Sequence, residues 1–172
     1  MGISYASFAR SPSGGPLMPL FVLDNLRSAY NVGSIFRMAE AIGPAGVVLT
    51  GICCRPPSRK LGRTSRGTHA SVPWIYLPTM SEAVRWIRGT GRQLVALENG
   101  PGAVSVFEAA FELSGAFVLG NEAEGVQPSV AEEADLRLVF PQSGGRDCMN
   151  VSCTAAVISS EIQRRRLMGC GV

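Results

Sequence analysis

The sequence has only one histidine, His69, and no two cysteines have the C-x-x-C spacing. A single histidine excludes a multi-histidine metal cluster and leaves few ways to build a histidine-based catalytic triad. The cysteines are Cys53, Cys54, Cys148, Cys153 and Cys170. Their number is odd and they lack zinc-ligand spacing, so we expect neither a disulfide framework nor a metal site.

Long apolar segments are also missing. No apolar run approaches the ~20 residues that a membrane span needs, and no charged-then-apolar signal segment opens the chain. We therefore expect a cytoplasmic protein with no membrane partner. Residues 1–15 are small and polar, which predicts a flexible tail. The remaining residues, 16–172, are expected to form a single domain.

Acidic and basic residues are unevenly distributed. There is no acidic residue from position 41 to 81, whereas positions 93 to 136 carry eight acids and no Lys or Arg. Five basic residues fall within twelve positions: Arg55, Arg59, Lys60, Arg63 and Arg66. Arginine binds phosphate through two parallel hydrogen bonds, so this cluster predicts a surface for a polyanion. Its Gly and Ser residues favour a mobile loop. The plainer interpretation is a solvated loop.

Apolar runs alternate with segments of helical spacing, which predicts an α/β fold with a mostly parallel sheet flanked by helices. The predicted strands are 19–24, 46–50, 72–77, 93–97, 116–119 and 136–140. The predicted helices are 31–42, 81–88, 129–134 and 150–167. Ser81 is expected to be an N-cap, and Asn31 and Asn150 are candidates for the same role. Since chain knots are very rare, the pattern alone predicts an unknotted sheet.

Common nucleotide-binding motifs are absent. Gly120 and Gly125 have the spacing of a phosphate-binding loop, but Val126 and Gln127 replace the required Lys and Ser/Thr. No G-x-G-x-x-G follows a predicted strand. A nucleoside triphosphatase or a conventional dinucleotide enzyme is therefore a poor fit.

Three polar segments lie where predicted strands or helices begin or end: NVGSIFR (31–37), VLGNEAEG (118–125) and CMNVS (148–152). Loops at the carboxyl ends of parallel strands converge, so these segments predict a shared ligand site. In this order they resemble the three motifs of the SpoU branch of the SPOUT superfamily, which are RNA ribose methyltransferases. We term residues 23–37, 117–126 and 141–156 the first, second and third motifs.

The resemblance implies a trefoil knot near the C-terminus, S-adenosylmethionine as cofactor, and a homodimer that completes each site across its interface. It also implies four catalytic residues: Asn31, Arg37, Glu122 and Asn150. Asn31 and Arg37 would face the ribose. We expect Arg37 to stabilise the developing alkoxide rather than to act as a base, because arginine keeps its proton at neutral pH.

Each of these residues also has a structural interpretation. Arg37 could be a solvated or salt-bridged arginine, and Glu122 an exposed acid in a turn. In the family-based interpretation, Glu122 braces the knot loops or binds the cationic end of the cofactor. Asn150 would cap the last helix and also hold the cofactor loop.

The resemblance further implies that the cofactor lies among loops of the knot. The implied cofactor-binding residues are Leu97, Glu98, Leu119, Gly120, Asn121, Phe140, Pro141, Cys148, Met149 and Asn150. Cys148-Met149 stands where Ser-Leu is usual in the family, so a contact that needs the serine hydroxyl would be lost.

The segment KLGRTSRGT (60–68) resembles the basic loop after the second strand of the family, which implies that the five basic residues bind RNA. The leading hypothesis is an RNA ribose 2′-O-methyltransferase without a separate RNA-binding domain. Such a minimal enzyme is expected to act on a compact RNA, tRNA before rRNA. The alternatives are a non-catalytic RNA-binding module that has kept the fold, and a methyltransferase for a small molecule or a protein.

Overall fold

The computed structural model describes residues 18–43, 45–144 and 148–169, so the predicted tail at 1–15 and residues 145–147 of the third motif lie outside the described part. Strands and helices alternate within it. In chain order they are β1 (Leu20–Leu23), α1 (Ala29–Ile42), β2 (Gly46–Thr50), α2 (Arg59–Ser65), a 3-10 turn (Thr68–Ala70), β3 (Trp74–Leu77), α3 (Met80–Gly89), β4 (Leu94–Leu97), β5 (Val104–Ser105), β6 (Ala116–Leu119), α4 (Pro128–Glu133), β7 (Leu136–Val139) and α5 (Val151–Leu167).

The strands form one parallel sheet in the order β3-β2-β1-β6-β4-β7-β5. Every residue of β1, β4 and β6 is buried, so these strands form the centre of the sheet. This confirms the predicted α/β class with a parallel sheet flanked by helices. The six predicted strands are present, and β5 is a two-residue strand that the sequence did not indicate.

Helices cover both faces of the sheet. On β1, Phe21 and Leu23 pack into the apolar cluster beneath α1, α2 and α5, whereas Leu20 and Val22 pack into the cluster beneath α3 and α4. Successive side chains of a strand point to opposite faces, so a strand covered on both sides must be apolar throughout. That requirement explains the uninterrupted apolar runs of the sequence.

Two of the three predicted N-caps are wrong. The N-cap of α1 is Ser28, whose side-chain oxygen accepts a hydrogen bond from the backbone N–H of Asn31 at 3.3 Å. The N-cap of α3 is Thr79, not Ser81. In both cases the capping residue is the one with extended backbone just before the helical turn, which frees its side chain to accept from the first turn. Asn150 does cap α5, as predicted.

The basic segment was predicted to be a mobile loop, but its central part is helix α2. Ser58 caps this helix by accepting a hydrogen bond from the backbone N–H of Leu61 at 3.3 Å. The side chain of Leu61 is fully buried in the core, and the Thr64 hydroxyl donates to the carbonyl oxygen of Ala29 at 2.7 Å. These contacts outweigh the low helix propensity of Gly62, because tertiary packing supplies most of the stability of a short helix.

The arginines at the end of α5 fasten this helix to the rest of the fold. Arg165 donates to Glu161 at 2.6 Å and to the carbonyl oxygen of Ala109 at 2.9 Å. Arg166 donates to the carbonyl oxygen of Ile42 at 2.7 Å, at the last residue of α1. Helix α5 is thereby held against α1, with Asn150 at its opposite end.

Candidate functional site

The three motifs meet at one edge of the sheet. Strands β1, β6, β4 and β7 are consecutive neighbours, and all are parallel, so their carboxyl ends share that edge. The first motif continues from β1 into α1, the second follows β6, and the third links β7 to α5. The topology therefore brings the three segments to one edge of the sheet, and the ligand site predicted there stays a prediction.

A cavity of about 630 Å³ opens between these loops. It is lined by Leu97, Glu98, Asn99, Leu119, Gly120, Asn121, Glu122, Ala123, Glu124, Gly125, Leu138, Val139, Phe140, Gln142, Cys148, Met149, Asn150, Val151 and Thr154. Nine of the ten predicted cofactor residues belong to this set. The tenth, Pro141, lines a neighbouring cavity of about 380 Å³. Four residues line both cavities: Asn99, Val139, Phe140 and Gln142.

Three of the four predicted catalytic residues form a chain of hydrogen bonds beside this cavity. The side-chain amide of Asn31 donates to the Glu122 carboxylate at 2.6 Å, and the Asn150 amide donates to the Asn31 carbonyl oxygen at 3.5 Å. Asn31 is 5% exposed, while Glu122 and Asn150 are exposed. Asn31 thus joins residues from all three motifs, at sequence separations of 91 and 119 positions.

Arg37 lies apart from this chain of hydrogen bonds. It is six residues after Asn31 on α1, which places it about 9 Å further along the helix axis and about 120° around it. Its side chain is exposed, and it has no hydrogen bond or ion pair within the described ranges. The structure therefore leaves this guanidinium free to meet a ligand at the surface of α1.

The charged side chains that line the cavity are all acidic. They are Glu98, Glu122 and Glu124, and no lysine or arginine lines the cavity in the described part of the chain. Apolar residues of β4, β6 and β7, such as Leu97, Leu119 and Leu138, line the same cavity. Such a lining suits a ligand with a flat apolar part and a cationic part.

The turn of the second motif is held by close backbone packing. A Cβ atom on Gly120 would lie 2.0 Å from the carbonyl carbon of Gly125, so only glycine fits there. Gly125 has a φ of +72°, and the Glu98 carboxylate accepts a hydrogen bond from the backbone N–H of Val126 at 2.7 Å. Glu98, which was predicted to bind the cofactor, lines the cavity, and its carboxylate also holds the loop that carries Glu122.

A buried acid that the sequence did not single out completes this support. Asp24 is fully buried at the end of β1, and it accepts hydrogen bonds from the backbone N–H of Gln127 at 3.0 Å and from its side-chain amide at 2.6 Å. These bonds tie the first motif to the end of the second. The available signal was an acid that directly follows a fully apolar strand, a position where a buried charge needs partners.

The basic residues present their charges at the surface of α2 and its flanks. Arg59 and Arg63 are one turn apart and lie on the same exposed face, and Arg66 follows the helix with a left-handed backbone. Lys60 is exposed as well. The side chains of these four residues have no hydrogen bond or ion pair within the described ranges. Arg55 differs, because its guanidinium stacks on the Tyr76 ring at 3.6 Å.

Helix α2 is packed directly on the first motif. A Cβ atom on Gly33 would lie 2.2 Å from the Thr64 hydroxyl oxygen and 2.7 Å from the backbone nitrogen of Ser65. Gly33 therefore permits the close approach of the two helices. This contact fixes the basic face of α2 relative to Asn31, and the sequence gave no sign of it beyond the glycine itself.

The model of the SpoU rRNA methylase family matches residues 18–160 of this chain. The match covers the three motifs and the sheet that carries them. The chain belongs to the SpoU family.

Curated relatives of this SpoU chain are RNA methyltransferases by name. A 23S rRNA (guanosine-2′-O-)-methyltransferase from Neisseria meningitidis is 25% identical over 87% of this chain and 59% of its own length. A tRNA (guanosine(18)-2′-O)-methyltransferase from Aquifex aeolicus is 28% identical over 83% of this chain and 67% of its own. The chain spans between about half and three-fifths of the length of the first relatives it matches.

Solved structures of the family share the fold. The SpoU methyltransferase AviRb from Streptomyces viridochromogenes, in complex with the cofactor AdoMet, superposes with a TM-score of 0.78 at 26% identity, over 87% of this chain and 58% of that one. Fold similarity at this level shows that this chain and that protein share the fold.

The structure also bears on the predictions about cysteine, metal and membrane in this SpoU chain. Cys53 is a structural residue: its thiol donates to the carbonyl oxygen of Leu23 at 3.2 Å, and burial raises its pKa to about 11, which keeps it uncharged. In the described ranges, no group of three or more His, Cys, Asp or Glu residues is placed to hold a metal ion. No helix there is long and apolar enough to cross a membrane.

Proposed function

We propose that this protein is an S-adenosylmethionine-dependent methyltransferase that modifies a ribose 2′-hydroxyl of RNA. The observation that carries the proposal is the chain of hydrogen bonds from Glu122 through Asn31 to Asn150 beside the 630 Å³ cavity. It joins the three motifs at a place where a cofactor and a substrate can meet. The names of the relatives, which act on ribose in rRNA and tRNA, support the same reaction.

The cavity fits the proposed cofactor. S-adenosylmethionine combines a flat adenine with a sulfonium and an ammonium group, and the lining combines apolar strand-end residues with three carboxylates. We propose that the adenine lies against Leu119, Leu138 and Phe140. Glu122 or Glu124 would then face the cationic end. Cys148 and Met149 line the cavity in place of the usual Ser-Leu, so the cofactor contacts there would be apolar or through the backbone.

The cofactor supplies a methyl group already activated on sulfur, so the protein mainly has to align the attacking oxygen and stabilise charge. Asn31 is held rigidly by Glu122, and it can orient the ribose because its side chain both donates and accepts hydrogen bonds. Arg37 would stabilise the negative charge that develops on the 2′-oxygen. Arg37 and Asn31 lie apart along α1. The ribose, or an RNA phosphate next to the ribose, would therefore bridge these two side chains.

The RNA surface is proposed to be the basic face of α2 and its flanks. Arg59, Lys60, Arg63 and Arg66 are exposed and available to phosphates, whereas Arg55 is restrained by its stacking on Tyr76. We propose tRNA before rRNA as the substrate. Relatives are named for both rRNA and tRNA, so the assay below must include both kinds of RNA.

Further parts of the proposal concern the assembly. We propose a trefoil knot in the C-terminal part, as the family resemblance implies. In the described part of the chain, α5 follows β7, which lies next to the edge strand β5, and packs on α1. A homodimer and a cytoplasmic location remain predictions, which the family resemblance and an RNA substrate favour. The organisation of 16–172 as one domain is likewise a prediction.

The test is transfer of labelled methyl from S-adenosylmethionine to unmodified RNA, with tRNA and rRNA fractions assayed separately. Wild-type protein is expected to label one fraction. Arg37→Ala is expected to retain cofactor binding, since Arg37 does not line the cavity, and to lose transfer by roughly 10²–10³-fold, as for removal of one charge-stabilising donor. Absence of label in every fraction, from protein that binds the cofactor, would favour the non-catalytic RNA-binding module or a substrate other than RNA.

A further inference from the structure

Helix α1 carries a stripe of side chains in which Tyr30 is exposed and has no predicted role. Tyr30, Ser34 and Arg37 follow each other at intervals of about one helical turn, so they lie on the same side of the helix. Tyr30 is 68% exposed, although a tyrosine ring is largely apolar. It makes no hydrogen bond or ring contact within the described ranges.

The position of this stripe on α1 is fixed by the contacts on either side of it. Asn31 faces Glu122, which lines the cavity, while Ala29 and Gly33 face α2 through contacts with Thr64. At about 100° per residue, Tyr30 falls between these two sides. A strand of RNA that ran from the arginines of α2 to a ribose at Asn31 would pass over the side of α1 that carries Tyr30.

We propose that Tyr30 is a stacking platform for an unpaired base of the substrate RNA, next to the nucleotide that is methylated. This proposal rests on the proposed function and narrows its substrate class to nucleotides in single-stranded loops. In an A-form duplex the bases are stacked on each other and only groove edges and the backbone are accessible. An unpaired base can turn outward, and its flat face then meets an aromatic side chain.

The charges around Tyr30 favour RNA over a second copy of this chain as the occupant. Arg37 lies on the same stripe, and Arg59 and Arg63 lie on the neighbouring helix, all exposed and without acidic partners in the described ranges. A symmetric contact between two copies across this surface would bring like charges together. A polyanion with flat bases matches both the charge and the aromatic ring.

The test compares binding of two RNAs to wild-type protein, Tyr30→Ala, Tyr30→Leu and Tyr30→Phe, by fluorescence anisotropy. One RNA is a hairpin with an unpaired loop, and the other is a blunt duplex of the same base composition. Tyr30→Ala should weaken hairpin binding by about 5- to 150-fold, the range for loss of one base–aromatic stack, and should leave duplex binding unchanged. Tyr30→Phe should bind the hairpin like wild type, and Tyr30→Leu like Tyr30→Ala.

The matched control is Leu167→Ala, which removes another exposed side chain. Leu167 is 77% exposed and lies at the far end of α5, about 25 Å along that helix from Asn150. It should not change binding of either RNA. Equal losses on hairpin and duplex would overturn the proposal, and so would hairpin binding by Tyr30→Leu at the wild-type level. A lower molecular mass of Tyr30→Ala in sedimentation would overturn it too, because Tyr30 would then serve self-association.

These outcomes are independent of methyl transfer. If the wild-type protein transfers no methyl group but binds the hairpin through Tyr30, the proposed function fails and the stacking platform stands. If transfer occurs with equal efficiency in Tyr30→Ala and wild type at limiting RNA, the platform fails and the proposed function stands.

Discussion

Replacement of Gly33 by alanine tests how the basic helix is fixed to the first motif. The new Cβ atom would lie 2.2 Å from the Thr64 hydroxyl oxygen and 2.7 Å from the backbone nitrogen of Ser65. The hydroxyl can rotate away, but the backbone nitrogen cannot, so α2 has to move away from α1. Insertion of a methyl group into a close-packed contact costs roughly 1–3 kcal/mol, and a rigid neighbour puts this site at the upper end.

An opposing effect reduces this cost. Alanine is preferred over glycine in a helix interior by roughly 0.5–1 kcal/mol, so the net loss in the free energy of unfolding is about 2 kcal/mol. For a chain of this size, that corresponds to a fall in Tm of about 4–8 °C. Binding of hairpin RNA should weaken as well, because α2 carries Arg59 and Arg63. Cofactor affinity should hold, because Gly33 does not line the cavity.

The matched control is Gly62→Ala, within α2 itself. A Cβ atom there meets only the His69 ring at 3.8 Å, an ordinary contact, so the substitution should raise stability by up to about 1 kcal/mol. Both variants are compared by urea denaturation, with RNA and cofactor affinities measured on the folded proteins. If Gly33→Ala proves as stable as Gly62→Ala, the close contact between α1 and α2 does not exist as described.

Two further predictions concern the second motif and the last helix. Glu98→Ala leaves the backbone N–H of Val126 without its charged partner. The substitution should therefore lower the free energy of unfolding by about 1.5–3 kcal/mol and weaken cofactor binding, measured by calorimetry. Unchanged values for both would contradict the role of Glu98 as a support for this loop. Hydrogen bonds from Arg164 and from Arg165 lower the pKa of Glu161 from 4.5 to about 2. Since the pKa of Glu161 is lower in the folded state, this stabilisation is complete above pH 4.5 and is lost as the pH falls towards 2. Glu161→Gln should therefore reduce the loss of the free energy of unfolding over this pH range, measured by denaturation curves. An equal loss in variant and wild type would refute this prediction.

Local apolar patterning predicted the central sheet well. The strand Ala116–Leu119 has the predicted bounds, because an apolar run between Gly115 and Gly120 allows only a short strand buried on both faces. The strand Val104–Ser105 was missed because two residues leave no pattern. The helix Arg59–Ser65 was missed because its stability comes from burial of Leu61 and from contact with α1, which local propensity does not contain.

The site, like the sheet, was predictable from the sequence only in part. The carboxyl ends of parallel strands predicted where the motifs would meet, but the contact of Asn31 with Glu122 joins residues 91 positions apart, and no spacing in the sequence indicates it. Family resemblance named these residues, and the topology brings them together. Asp24 lies in the first motif, but neither the apolar patterning nor the family resemblance gave it a role. Its role depends on a hydrogen bond from the backbone of Gln127, which no sequence pattern indicates.

The most direct test of the account is to identify the atom that receives the methyl group. RNA labelled by the wild-type protein is digested to nucleosides, and the products are analysed by mass spectrometry. We predict a 2′-O-methylnucleoside, with the added mass on the ribose fragment, and its loss in Asn31→Ala protein that still binds the cofactor. A methyl group on the base fragment, or equal methylation by Asn31→Ala, would contradict the claim that the three motifs form a ribose-modifying site around Asn31.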